Sequence, residues 1–285
     1  AGRTVAVERL RARAGPGSLE GRGSFALSDE RAFNFEARTS RLDPARFGTF
    51  PKASLDATIT ARGTAQGTLR SAFEIGIAEG SQLQATPLSG NVTGTIAGPT
   101  VRDLRLALDL AGTRIAAEGS AGGADDTLTA TLEVPRLAAL AEILQAPPSR
   151  KLAGTLSAKA RWHGPWPDGT GEIHVAGSAL ELGSDVAAKE VTLDFAVGAT
   201  ASGPRSGDAL ARSVRLDLKA VDLVGPQGRF HSARANGSGT FAAHTLEVGF
   251  DGDGVGLAAS ARGGFASASG LSSRSGWRWA GPVER

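Results

Sequence analysis

Strict alternation of apolar and polar residues is the feature that most limits how this chain can fold. Every second residue is apolar between Leu128 and Val134, and the stretch from Lys151 to Trp162 keeps the same rhythm. Successive side chains of a β-strand point to opposite faces, so this pattern predicts strands with one buried and one solvated face. The sequence therefore predicts an all-β fold.

The alternation recurs along most of the chain, at residues 32–39, 54–62, 72–78, 103–110, 191–197, 214–218 and 246–250. Turn-forming segments such as Gly15-Pro16-Gly17 and Asp251-Gly252-Asp253-Gly254 separate the stretches and supply the proline or positive-φ positions of tight turns. Strands joined by short turns pair antiparallel, so we expect a meander.

Helix is scarce, and this shortage decides the predicted architecture. Residues 43–48 and 135–145 are predicted to be short helical interruptions, each with a proline near its start. A sheet with one apolar face must cover that face with helices, with a second sheet or with a ligand. We therefore predict residues 1–285 to form one continuous module, an elongated antiparallel sheet curled into a trough (a β-taco groove).

The apolar phase of the alternation is predicted to line this groove. Its members are Phe33, Phe35, Leu55, Ile59, Phe73, Ile75, Ile77, Leu104, Leu106, Leu108, Leu110, Leu128, Leu132, Val134, Leu152, Leu156, Val191, Leu193, Phe195, Val214, Leu216, Leu218, Leu246, Val248 and Phe250.

Composition argues against several classes of protein. Lys and Arg number 31 against 29 Asp and Glu, so the net charge of +2 gives no reason to expect nucleic-acid binding. Cysteine is absent, which excludes disulfides and thiolate metal sites. The sequence contains no apolar run near the roughly 18 residues of a membrane-spanning helix. Because it begins with alanine and contains no methionine, we expect an internal piece of a longer protein.

Residue types that carry out chemistry show no catalytic spacing. The four histidines, His163, His174, His231 and His244, are scattered, and we expect a structural hydrogen bond for His244. No Gly-x-Ser-x-Gly elbow occurs, and the Asp-Gly-Asp-Gly segment lacks the downstream glutamate of a calcium loop. We predict no catalytic residue, no metal site, no cofactor and no enzymatic activity.

Tryptophans leave two interpretations open. Trp162 and Trp166 could line a mouth of the groove, where an indole bridges apolar and wet surroundings, but packing over the proline turn at a strand end is favoured. Trp277 and Trp279 share one strand face and carry the same ambiguity.

Several short sequence segments resemble the middle region of the TamB family, the translocation and assembly module subunits within the AsmA-like group. They are Leu42-Asp43-Pro44-Ala45-Arg46-Phe47, Pro87-Leu88-Ser89-Gly90, the stretch from Glu133 to Leu140, the stretch from Lys151 to Leu156, the stretch from Asn236 to Leu246, and Ser275-Gly276-Trp277-Arg278-Trp279-Ala280-Gly281. The resemblance covers essentially the whole chain.

This resemblance implies a function as well as a fold. It implies a taco-shaped sheet in the periplasm of a Gram-negative bacterium, within a protein anchored in the inner membrane, that holds phospholipid acyl chains on their way to the outer membrane. It also implies outer-membrane protein assembly and secretion with a BamA-like partner, TamA. The family's membrane anchor and its region for docking this partner are not recognised in the sequence, so neither role is assigned to residues.

Two other functions remain open at the level of sequence. A structural or adhesive β-solenoid with a dry core would also show apolar alternation, although solenoids repeat short rungs at a fixed period. A carbohydrate-active all-β enzyme would need paired carboxylates converging from strand ends, and the sequence singles out none.

Overall fold

The computed structural model describes residues 3–141, 143–144, 151–166, 168–183, 185–200, 209–226 and 228–265, and these residues form sixteen strands. The strands are β1 (Thr4–Ala14), β2 (Gly17–Ala26), β3 (Ala32–Leu42), β4 (Ala53–Thr64), β5 (Arg70–Leu83), β6 (Thr86–Ala97), β7 (Thr100–Leu110), β8 (Thr113–Ala121), β9 (Thr127–Val134), β10 (Leu152–His163), β11 (Thr170–Leu182), β12 (Val186–Thr200), β13 (Arg212–Gly225), β14 (Gly228–Thr240), β15 (His244–Gly252) and β16 (Val255–Gly263).

The chain forms two compact units, Ala1–Pro147 and Pro148–Arg285, called here the N-unit and the C-unit. The N-unit contains β1 to β9 and the C-unit contains β10 to β16. Within each unit the strands lie in chain order, and the pairing is antiparallel throughout. The predicted all-β class and antiparallel meander are therefore confirmed, while the expectation of one continuous module over residues 1–285 stays a prediction.

Short turns with the expected residues join the strands. Gly15, with φ of 61°, turns the chain between β1 and β2, and Gly254, with φ of 73°, does so between β15 and β16. The carboxylate of Asp109 accepts a hydrogen bond from the Gly112 N–H at 2.8 Å, which closes the turn between β7 and β8. Glycine tolerates positive φ without steric cost, so these residues place the tight reversals of a meander.

The predicted helical interruptions contain 3-10 turns. One spans Pro44–Arg46, capped by the carboxylate of Asp43, and the other spans Leu137–Leu140; positions 142 and 145 lie outside the described residues. A third 3-10 turn, Ala209–Ala211, precedes β13. In the described part of the chain no helix is long and apolar enough to span a membrane.

Among the described residues, few large apolar side chains are buried. In the N-unit they are Leu110, Val134 and Leu137, and in the C-unit the buried apolar residues are the alanines Ala188, Ala220 and Ala233. Small buried residues do not fill a thick core. The strands of each unit therefore place most of their described large apolar side chains in half-buried positions on one face.

Candidate functional site

Cross-strand pairing joins the apolar residues of the N-unit into three rows that run from strand to strand. Directly paired residues point to the same face of a sheet, so each row lies on one face. The rows are Phe35, Ala61, Phe73, Gly94, then across a bulge Leu104, Gly119, Leu128; Ala37, Ile59, Ile75, Val92, Leu106, Ala117, Ala130; and Thr39, Ala57, Ile77, Gly90, Leu108, Ile115, Leu132.

The C-unit repeats this arrangement over seven strands. Its four rows are Leu156, Gly177, Val191, Ala220, Ala233, Phe250, Leu257; Ala158, Val175, Leu193, Leu218, Ala235, Val248, Ala259; Ala160, Ile173, Phe195, Leu216, Gly237, Leu246, Ala261; and Trp162, Gly171, Val197, Val214, Gly239, His244, Gly263. Apart from His244, every member is apolar or glycine. Each unit thus presents one continuous apolar face.

The residues predicted to line the groove map closely onto these two faces. Most of them are row members, and Leu55, Leu110 and Leu152 extend the faces toward the strand ends, where they pair with Leu42, with Leu88 and with Leu182. Leu110 and Val134 are buried, and the other predicted residues are half-buried. The partial exposure of this many Leu, Ile, Val and Phe side chains is the main property of the faces.

Sequence reasoning missed some members of the rows. Val92 lies between Ile75 and Leu106, and Ile115 lies between Leu108 and Leu132. Their strands, β6 and β8, hold glycine, serine or alanine at several neighbouring positions, so alternation is weak there. Their distance from the preceding turn could have identified them. In each case that distance places the residue opposite a row member of the preceding strand.

Parts of the apolar faces are open to solvent even in strands with a neighbour on both sides. Ile173 in β11 is 42% exposed although β10 and β12 flank it, and Phe25 in β2 is 37% exposed between β1 and β3. An isolated exposed apolar residue needs no explanation, but exposed members of a continuous apolar face indicate a surface suited to binding.

Glycines within the rows allow large neighbours to lie across the sheet. A Cβ at Gly94 would lie 3.1 Å from Cζ of Phe73, so the ring of Phe73 covers the backbone at that position. Gly90, with φ of 143°, sits where a Cβ would collide with the Ala107 carbonyl oxygen and approach Cδ2 of Leu108 to 2.9 Å. At these two positions a large side chain therefore lies over a glycine of the neighbouring strand.

One rim of the N-unit face is closed. Thr113 and Val134 are each 1% exposed, and Thr113 pairs directly with the buried Leu110 at the end of β7. The Thr113 hydroxyl is buried without a hydrogen-bond partner in the described structure. We call Leu110, Thr113 and Val134 the N-unit rim; Leu137, in the 3-10 turn that follows β9, is also buried.

An aromatic and cationic cluster lies at a rim of the C-unit face. The rings of Trp162 and Trp166 lie 4.8 Å apart between centroids, and the guanidinium of Arg212 lies 5.5 Å from the Trp162 ring. Arg212 is 8% exposed; it donates hydrogen bonds to the carbonyl oxygens of Gly169 and Gly198. We call Trp162, Trp166 and Arg212 the Trp–Arg rim; it ties the β10–β11 turn to the start of β13.

Trp162 and Trp166 differ in their surroundings: one packs on its own turn, and the other is open to solvent. The Trp162 indole N–H donates to the Gly164 carbonyl oxygen at 3.2 Å, so this ring packs on its own turn as favoured from the sequence. Trp166 is 72% exposed and presents its ring to solvent beside the apolar face. Arg212 was not foreseen, because an arginine at the start of a strand is usually solvated. Trp277 and Trp279 lie outside the described residues.

Polar side chains occupy the opposite face of each sheet and form exposed ion pairs. Arg22 contacts Glu36 at 2.6 Å in the N-unit, and the His174 ring contacts Asp194 at 2.7 Å in the C-unit. Exposed pairs of this kind contribute little to stability. They show instead which face of each sheet is adapted to water.

His231, His244 and the Asp-Gly-Asp-Gly segment have structural settings. His244 Nδ1 lies 3.2 Å from the Thr240 carbonyl oxygen, a structural hydrogen bond of the kind expected for it. Asp253 lies in the turn between β15 and β16, 2.8 Å from Nε2 of His231. Within the described ranges no group of three or more His, Asp or Glu side chains is arranged to hold a metal ion.

Comparison of this chain with known proteins does not identify a family. No protein-family model, no curated protein and no solved structure matches the chain.

Proposed function

We propose that this chain is a non-enzymatic, lipid-holding segment of a periplasmic protein of the TamB type, in which the two apolar faces bind phospholipid acyl chains during transport between the inner and outer membranes. The observation on which the proposal depends is the continuity of the apolar rows across β3 to β9 and β10 to β16, combined with their partial exposure.

The chemistry of the faces suits acyl chains. Burial of apolar surface contributes about 25 cal/mol per Å² and is non-directional, so a hydrocarbon chain can bind anywhere along a continuous row. Rows that mix alanine and glycine with leucine, valine and phenylalanine provide a shallow surface of even affinity. Even affinity favours movement along the surface, whereas one deep pocket would retain its cargo.

The exposure of the faces also bears on the dry-core alternative. A structural β-protein with a dry core would bury the large members of its rows, yet Ile173 and Leu257 are 42% and 52% exposed. Leu110 and Val134, which are 7% and 1% exposed, are large apolar side chains that this chain does bury. We therefore favour lipid binding over a dry core, and partnership with TamA remains part of the same proposal.

Crosslinking with matched positions tests the proposal. A photoreactive residue at Leu106 or Leu216 should crosslink to phospholipid that co-purifies with the chain and is identified by mass spectrometry of an organic extract. The neighbours Arg105 and Arg215 are the controls, because they lie on the same strands but on the opposite, exposed face, and they should give little product. Absence of phospholipid, or equal crosslinking from both faces, would contradict lipid binding by the apolar rows.

A charge on the apolar face provides the functional test. Leu106→Glu places a carboxylate within the second N-unit row, where desolvation next to an acyl chain is costly. We expect it to reduce transfer of labelled phospholipid between donor and acceptor vesicles, whereas Arg105→Glu should leave the rate unchanged. Equal transfer by the wild-type chain and a Leu106→Glu variant with an unchanged circular dichroism spectrum would count against the mechanism.

A further inference from the structure

The connection between β3 and β4 is longer than a tight turn and carries two exposed phenylalanines. It spans residues 43–52 and is called here the β3–β4 loop. Phe47 and Phe50 are 61% and 60% exposed, and no other large apolar side chain described in the N-unit is more exposed. All the residues from Arg46 to Lys52 are exposed. Two exposed rings in one short loop mark a surface suited to interaction rather than to the core.

Hydrogen bonds fix the main chain of the β3–β4 loop. The carboxylate of Asp43 accepts hydrogen bonds from the Ala45 and Ala53 N–H groups, at 3.2 and 3.1 Å. The Phe47 N–H donates to the Pro44 carbonyl oxygen at 2.9 Å and closes the 3-10 turn. The loop therefore presents its rings from a set conformation, and binding through them needs little further ordering.

The β3–β4 loop lies between two other turns of the N-unit. On one side, a Cβ at Gly15 in the β1–β2 turn would lie 2.9 Å from Cζ of Arg46. On the other side, the Lys52 carbonyl oxygen accepts a hydrogen bond from the Gln84 N–H of the β5–β6 turn at 2.9 Å. The exposure of the rings thus belongs to a position inside the N-unit, beyond the ends of β3 and β4.

Cationic side chains accompany the two rings. Arg41, Arg46 and Lys52 are exposed, and none of them forms an ion pair with another described residue. Asp43 is the one acidic residue between Arg41 and Lys52, and main-chain N–H groups occupy its carboxylate. The loop is therefore both apolar and positively charged. This combination is complementary to a bilayer surface, which offers anionic phosphate groups above an apolar interior.

We propose that the β3–β4 loop is a membrane-contact site that binds the surface of a bilayer containing anionic phospholipid. Phe47 and Phe50 enter the interfacial region of the bilayer, and Arg46 and Lys52 lie against its phosphate groups. A protein partner would need a groove shaped for two projecting rings, whereas a bilayer accommodates them without a matched shape. This inference does not rest on acyl-chain binding by the apolar rows.

Co-sedimentation of the full chain with vesicles tests the proposal. The chain should bind vesicles of phosphatidylcholine mixed with phosphatidylglycerol. Phe47→Ser/Phe50→Ser should bind them about tenfold more weakly, because the apolar surface of both rings is lost. The control Leu27→Ser/Leu69→Ser changes side chains that are 56% and 47% exposed in the turns at the other ends of β3 and β4, and it should bind as the wild type does.

Neutralising the loop tests the contribution of charge. Arg46→Gln/Lys52→Gln should weaken binding to the mixed vesicles about tenfold and reduce its dependence on salt. Arg102→Gln/Arg105→Gln makes the same change in net charge on exposed residues of β7 and should have little effect. Vesicles of phosphatidylcholine alone should bind the wild-type chain weakly. Equal binding to both kinds of vesicle would contradict recognition of anionic phospholipid.

A fluorescent probe locates the contact. The chain contains no cysteine, so Thr49→Cys carries a single thiol for an environment-sensitive fluorophore. Its emission should shift to shorter wavelength on the mixed vesicles, while a probe on Ser28→Cys in the β2–β3 turn should not respond. Leu106→Glu should bind vesicles as the wild type does, which separates this site from lipid binding by the apolar rows.

Three outcomes would overturn the proposal. They are an absence of vesicle binding, an unshifted probe at Thr49→Cys on bound vesicles, and equal weakening by Phe47→Ser/Phe50→Ser and Leu27→Ser/Leu69→Ser. Binding lost with Leu106→Glu but kept by the phenylalanine variant would assign the vesicle contact to the apolar rows instead of the loop.

Discussion

The Thr113 side chain is the clearest case of a residue whose chemistry conflicts with its surroundings. Its hydroxyl is buried at the N-unit rim without a hydrogen-bond partner in the described structure, at 1% exposure. A buried unsatisfied hydroxyl costs about 1–3 kcal/mol, and valine has nearly the same shape without the polar atom. Thr113→Val should therefore stabilise the rim by about 1 kcal/mol, measured as slower amide hydrogen exchange in β7 and β8.

Thr39 is the matched control for this substitution. It is 4% exposed, but its hydroxyl donates to the Leu55 carbonyl oxygen and accepts from the Ala57 N–H, both at 2.9 Å. Thr39→Val removes both bonds and should destabilise β3 and β4 by about 1–3 kcal/mol. Exchange that slows in both variants, or in neither, would show that the missing hydrogen bond does not determine the stability at Thr113.

For single residues, the sequence could predict which face of the sheet a side chain lies on, but not whether it is buried. Phe35, Leu106 and Leu216 could be placed on the apolar face, because alternation fixes the facing of each side chain once a strand is recognised. The burial of Thr113 and of Arg212 could not, since it depends on which turns meet at a rim, and no local pattern encodes that meeting.

At the scale of elements, Arg212 connects the start of β13 to the turn between β10 and β11. Arg212→Met keeps the length of the side chain but leaves the carbonyl oxygens of Gly169 and Gly198 without its hydrogen bonds and removes the cation from the Trp162 ring. We expect a loss of about 2 kcal/mol in the free energy of unfolding of the C-unit. Urea unfolding followed by tryptophan emission reports it, because Trp162 and Trp166 lie in this unit and residues 1–147 contain no tryptophan.

Arg215→Met provides the comparison for this experiment. Arg215 lies on the same strand three residues further on, is exposed, and faces the polar side. Its replacement should change the urea midpoint by little. An Arg212→Met midpoint equal to that of Arg215→Met would mean that the rim does not stabilise the C-unit.

Elements with clean alternation were predictable, and elements without it were not. Strands β3, β4, β5, β7, β9 and β10 coincide with the stretches recognised in the sequence, within a few residues at each end. Strands β2, β6 and β14 are rich in glycine and serine, which weakens the periodic signal although cross-strand pairing still holds them in place. Their positions follow from the meander and the turns rather than from their own composition.

At the scale of the whole molecule, each unit has its own apolar face with its own rows. If the proposed lipid binding holds, we expect native mass spectrometry to show chains with several phospholipids in a graded distribution, since apolar burial accumulates with area and not at one point. Leu106→Glu should shift this distribution to fewer lipids while a photoreactive residue at Leu216 still crosslinks. Arg105→Glu should leave both measurements unchanged. A single saturable phospholipid, lost entirely with Leu106→Glu, would instead indicate one discrete binding site and would contradict a surface of evenly spread affinity.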